Sequence, residues 1–212
     1  MKKQKDISLK VILLIFFASF LYSVIRYNVV GDVPWKELPF FILNKVFALN
    51  GILLLIFTFS ISPLKNLNVS IPPSWTAAKK GLGIAGFISI FFHLVMSLML
   101  FTPAYYGKFF DPSEKLTLNA GLSMLSGLIA FVVLWFYNIS FFKTGKNNSL
   151  KRIIKSKKFL LLVMPFTALH IFFMGYPGWL KPESWHGGIP PISLVAFSFF
   201  VAGYLLNLIG RK

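Results

Sequence analysis

Two histidines stand alone inside long apolar stretches. His93 lies in Gly81 to Phe101, GLGIAGFISIFFHLVMSLMLF, which carries no charge, and His170 lies in Phe159 to Tyr176, FLLLVMPFTALHIFFMGY. Each stretch opens beside a lysine pair, Lys79-Lys80 and Lys157-Lys158. As helices running in one direction at about 1.5 Å per residue, they place His93 about 18 Å and His170 about 17 Å from their starts. Two imidazoles at one depth on two helices have the arrangement that axial ligation of one haem iron requires, a ring nitrogen approaching the metal from each face. The rival reading is two separate helix-packing polar groups, each hydrogen-bonded to a neighbouring carbonyl. An ionisable ring inside a bilayer is costly, which favours a functional role for two at matched depth.

Other candidate groups are fewer. His186, in ESWHGG, reads as a solvated loop residue, with contact to an external partner as the alternative. Met96, Met99, Met164 and Met174 are potential thioether ligands but read as lipid-facing or packing side chains. Gly81, Gly83, Gly86, Gly121 and Gly127 would let helix backbones approach closely or leave room for a flat ring. The chain has no cysteine, so disulfides, iron–sulfur clusters and thiol catalysis are excluded. No Asp or Glu falls within an apolar stretch, which removes the usual carriers of proton relays and carboxylate-coupled transport. GLGIAG lies inside a span and is no dinucleotide fingerprint.

The elements that must position the histidines follow from hydropathy. Of the 212 residues, 56% are hydrophobic and 13% charged, and the mean hydropathy is +0.72, which marks an integral membrane protein. Segments apolar all round exclude barrel strands, whose faces alternate. The net charge of +16 belongs to the membrane surface and not to nucleic acid, because a soluble basic domain would not carry such unbroken apolar runs. The expected fold is an all-α polytopic bundle of six transmembrane helices forming one domain over residues 1–212. The spans are Val11 to Ile25, read as uncleaved, about Val46 to Ile61 entered through an interfacial stretch from Leu38, Gly81 to Phe101, Leu118 to Phe142, Phe159 to Tyr176, and Ile192 to Ile209. Sixteen of the 22 basic residues fall on the side of the two termini, which makes both termini cytoplasmic. Lys45 is left near the outer end of span two, where its stem can snorkel. Aromatics such as Trp35, Tyr105, Tyr106, Trp179 and Trp185 form an interfacial belt, and prolines lie outside span interiors except Pro165, which predicts a kink near His170.

FTFSISPLK closing span two, KKGLGIAGFISIFFH opening span three and ALHIFF in span five after a basic loop resemble the ferric-reductase-like transmembrane domain family. The likeness is closest to the small branch that includes the haem-binding membrane subunit of the bacterial periplasmic methionine sulfoxide reductase system. It covers about Val46 to Tyr176. The resemblance implies haem b between spans three and five, with His93 and His170 as the outer pair of axial ligands, and electron transfer across a bacterial cytoplasmic membrane. Two-haem members carry a further histidine toward the cytoplasmic end of each of these helices, where this chain has Lys79 and Lys157. The small branch usually keeps the one on span five, in a W-x-x-L-H-like context, where this chain has SLKRIIKSKK. One haem is therefore expected. The chain ends just after span six, which leaves no room for the flavin and nicotinamide domain of the larger reductases.

Together these readings give an electron-transfer subunit of an oxidoreductase that carries electrons from a membrane quinol or a partner to a redox protein on the outer face. Flavin or quinone stays open as a further redox group. A haem-free relative acting as a membrane scaffold or accessory subunit is the reading from a different class, and a small transporter is disfavoured by the absence of buried carboxylates and paired broken helices.

Overall fold

The structure, a computed structural model, describes residues 2–139, 153 and 156–210. In hydrocarbon every backbone N–H and C=O must find its partner within the segment, and among the described residues the chain responds with six long helices. These are α1 (Lys2–Val24), α2 (Leu43–Asn66), α3 (Pro73–Leu100), α4 (Leu118–Ile139), α5 (Lys157–Trp179) and α6 (Ile192–Ile209). Among the described residues five segments, containing α1, α2, α3, α4 and α6, are long and apolar enough to cross a membrane. The protein is an all-α integral membrane bundle. Leu9, Leu13, Phe17 and Leu21 recur at every fourth position of α1 and are all exposed, the stripe of a helix whose outer face meets lipid.

Side-chain ties fix how the helices alternate. Lys79 at the start of α3 donates to Ser62 Oγ near the end of α2, and Asn66 Nδ2 donates to the Gly210 carbonyl just after α6. At the opposite, distal end, Tyr22 and Arg26 both donate to the Pro190 carbonyl before α6, and Asn119 at the start of α4 donates to Tyr176 near the end of α5. α1 therefore begins and α6 ends at the same end of the bundle. α2 is the central helix, with half of its most apolar window buried, and it packs on α1, α3 and α6. α4 packs on α5 and α5 on α6, whereas α3 meets α4 only loosely. The loose seam is where the cavity described below opens between the two groups of helices.

Element ends differ from the sequence reading in instructive places. Span two begins earlier and ends later than expected, and the interfacial stretch before it is a π-helical turn, Leu38–Ile42, running directly into α2. A second π-helical turn, Ile25–Val29, extends α1. Pro63 and Pro177, expected outside the span interiors, lie in the last turns of α2 and α5. A proline there forfeits one amide bond near a frayed end, which costs less than in mid-helix. Pro73 occupies the first turn of α3, where its missing N–H is harmless, and Ser156 Oγ caps α5 by accepting from Phe159 N. The end expected for span four at Phe142, most of the basic loop after it, and Arg211 and Lys212 lie outside the described residues.

Candidate functional site

The site is built by four helices. α3 supplies His93 and α5 supplies His170, and their ring centres lie 6.4 Å apart with planes inclined at 63°. Measured from the helix starts, His93 stands about 30 Å and His170 about 20 Å along, because α3 begins well before the expected Gly81, and it is the 6.4 Å between ring centres that puts the two rings at one level. Both rings are half-buried and line one cavity of about 680 Å³, a size typical of cofactor pockets.

Each imidazole is held by its Nδ1. His170 Nδ1 lies 2.9 Å from the carbonyl oxygen of Ser123 on α4. A carbonyl can only accept, so Nδ1 carries the proton and the lone pair of the neutral ring is on Nε2. Ser123 Oγ in turn donates to the His170 carbonyl, closing a reciprocal clasp between α4 and α5. His93 Nδ1 lies 2.7 Å from Asn44 Oδ1, and Asn44 Nδ2 donates to Ser97 Oγ and Tyr106 Oη, both at 3.1 Å. Asn44, only 1% exposed, is thereby locked with its carbonyl toward the ring. Tyr106, in the loop after α3, has its phenol pushed up by burial and stays a neutral partner. Among the described residues neither Nε2 has a hydrogen-bond partner. Fixing a ring through one nitrogen while leaving the other without a partner is the way proteins prepare a histidine to bind a metal.

The dimensions fit a bis-imidazole iron. Two metal–nitrogen bonds of about 2 Å, plus about 1.1 Å from each nitrogen to its ring centre, give about 6.2 Å between ring centres. Gly127 on α4 makes the room, since a Cβ there would lie 2.6 Å from His170 Nδ1. Gly86 serves packing instead, bringing α3 against Leu54 and Leu55 of α2, and nothing lies within 4 Å of a Cβ built at Gly121. The described residues contain no cluster of three or more His, Asp and Glu side chains able to hold a metal ion, so a bare ion coordinated wholly by protein lacks its ligands. A haem needs only two from the protein, since the porphyrin supplies the remaining four.

Two residues stand differently from their reading in sequence. Lys45 does not snorkel away: it lines the cavity, its Nζ lying 4.1 Å from the ring centre of Phe41, 5.4 Å from Tyr27 and 5.3 Å from Tyr106. His186 is half-buried and lines the same cavity at its distal mouth, its ring 5.8 Å from that of Tyr27. Gly187, with φ 55°, permits this turn, and a Cβ there would press on Val30. The methionines behave as packing groups in part, with Met164 buried and lining the cavity, while Met99 is 62% exposed on the bundle surface. Lys79 is engaged with Ser62, and the side chain of Lys157 lies outside the described residues.

Asn44, Ser123 and Arg26 had no individual signature in sequence, and Lys45 stood out only as a charge left near a span end. The available hint was that polar residues placed within apolar spans must find partners there. Compared with known proteins, the chain matches no protein-family model and has no significant match among curated sequences. The resemblance to ferric-reductase-like domains is carried by the three motifs alone.

Proposed function

We propose that the protein is a six-span membrane haem protein with both termini cytoplasmic, an electron-transfer subunit that relays electrons from a lipid-soluble quinol to an acceptor on the outer face of a bacterial cytoplasmic membrane. The observation that carries this reading is the pair His93 and His170, presented from two helices at bis-imidazole separation with both Nδ1 atoms tied down. Bound between them, a haem b would supply a one-electron centre that cycles between ferric and ferrous iron.

The chain's own residues account for the rest. Asn44 and Ser123 accept from the two Nδ1 atoms and so leave the lone pair of each neutral ring on Nε2, the atom that would take the iron. Gly127 leaves space for the His170 ring, and the apolar walls contributed by Ile52, Ile171 and Phe200 keep the environment dry. A dry site raises the cost of charge changes at the metal and tunes its potential. A single centre in the distal half leaves the other half of the bilayer uncrossed, so a donor dissolved in the membrane suits this site better than a soluble nicotinamide enzyme.

A reduced-minus-oxidised absorption spectrum of the purified protein tests the proposal. Sharp low-spin bands are expected. A preparation from haem-replete cells with no haem absorbance would replace the relay with a haem-free scaffold or accessory subunit.

A further inference from the structure

The distal mouth of the cavity is lined by cations and by no acid. Arg26, Lys45 and Lys108 all line it, whereas no Asp or Glu among the described residues does. Arg26 is 4% exposed; its Nε donates to the Pro190 carbonyl at 2.8 Å, and its remaining guanidinium nitrogens have no hydrogen bond among the described residues. Lys45 has neither a hydrogen bond nor an ion pair there, only the faces of three aromatic rings. Lys108, exposed at the rim, donates to the Met174 carbonyl. Lys45 lies within electrostatic reach of both Arg26 and Lys108. Two π-helical turns flank this cluster, one carrying Arg26 and Tyr27 and the other carrying Phe41, whose ring lies against Lys45. Asp32 and Glu37 lie just outside the lining, against His186 and Tyr105, and among the described residues neither forms an ion pair with the three cations. Cations drawn together at the edge of an apolar cavity without an ion-paired carboxylate call for an anion brought by the ligand.

We propose that Arg26, Lys45 and Lys108 form a carboxylate-binding subsite at the distal mouth, which holds the propionates of a porphyrin seated between His93 and His170. The inference rests on the haem reading above and adds an orientation to it, with the propionate edge toward the distal loops and the apolar edge toward Phe59 and Phe200. It also separates two tasks. The histidines take the iron, and the cations take the acid groups.

The test uses the full chain in neutral detergent, stripped of endogenous haem, with four probes: haem, haem dimethyl ester, metal-free protoporphyrin and its dimethyl ester. The metal-free pair offers no iron to the histidines, so its acid–ester difference reads the cations alone. The acid is expected to bind about tenfold or more tightly than the ester, the worth of a charge-assisted contact or two. Lys45→Met and the rim variant Lys108→Met should each shrink that preference, and Lys108→Met, exposed at the surface, keeps the test valid if Lys45→Met does not fold. Equal affinity for acid and ester in the wild type, or an undiminished preference in both variants, overturns the subsite. Loss of the acid preference on adding phosphatidylglycerol, with tight binding of that lipid, would assign the cations to a lipid phosphate and also overturns it. Failure of the haem reading looks different: haem gives no low-spin spectrum while the acid–ester difference of the metal-free pair persists.

Discussion

The imidazoles of His93 and His170 lie 6.4 Å apart between ring centres, yet each is aimed by a residue from another helix, Asn44 for one and Ser123 for the other. The pair is therefore a property of four helices. α2 and α3 set one ring, α4 and α5 set the other, and the loose contact between α3 and α4 lets the two meet across a cavity.

Gly127→Ala should damage the site from the side. Its new methyl would lie 2.6 Å from His170 Nδ1, so the ring or the helix must shift, at a cost of about 1–3 kcal/mol. Haem content per mole of protein should fall steeply. Gly121→Ala, on the same helix with open space around it, is the control and should change stability by no more than about 0.5 kcal/mol.

Asn44 is a positioning residue whose effect should reach the metal. Asn44→Ala frees His93 Nδ1 and leaves a buried donor unpaired, costing about 1–3 kcal/mol and part of the haem. Asn44→Asp should restore binding and lower the midpoint potential, because a carboxylate behind the ring makes it a stronger donor. A potential unchanged in Asn44→Asp would reduce Asn44 to a packing role.

Much of this was legible in the sequence, because hydropathy marks a span regardless of its neighbours. The two histidines stood out as ionisable rings in apolar runs, and their lysine-flanked starts predicted their similar depth. What the chain could not show was direction around the helix axis. Lys45 near a span end is compatible with snorkelling or with facing inward, and only the folded bundle, which sets it against Tyr27, Phe41 and Tyr106, puts it on the cavity wall. Asn44 and Ser123 were hidden for the same reason, since their roles depend on which helices become neighbours.

Topology is checked independently of haem. A reporter fused after Lys212 should be active in the cytoplasm, and a cysteine introduced at Lys181 into this cysteine-free chain should react with an impermeant thiol reagent added from outside. Activity of the reporter only on the outer face would invert the bundle and the direction of electron flow.

Stoichiometry is expected to be one haem b per chain. Lys79 is bound to Ser62 Oγ at 2.7 Å, away from any ligand role, and no second histidine pair exists. A pyridine haemochrome ratio near two would mean that methionine or a partner's residues supply further ligands.

The most direct measurement is the low-temperature electron paramagnetic resonance and absorption spectrum of the purified oxidised protein, compared with His93→Ala, His170→Ala and the His186→Ala control. The wild type should give a low-spin bis-histidine signal, either ligand variant should abolish it, and the double variant should add little, because groups sharing one partner are not additive. His186→Ala should retain the signal. Loss of the signal in His186→Ala with its survival in His170→Ala would contradict the assignment of the iron to His93 and His170.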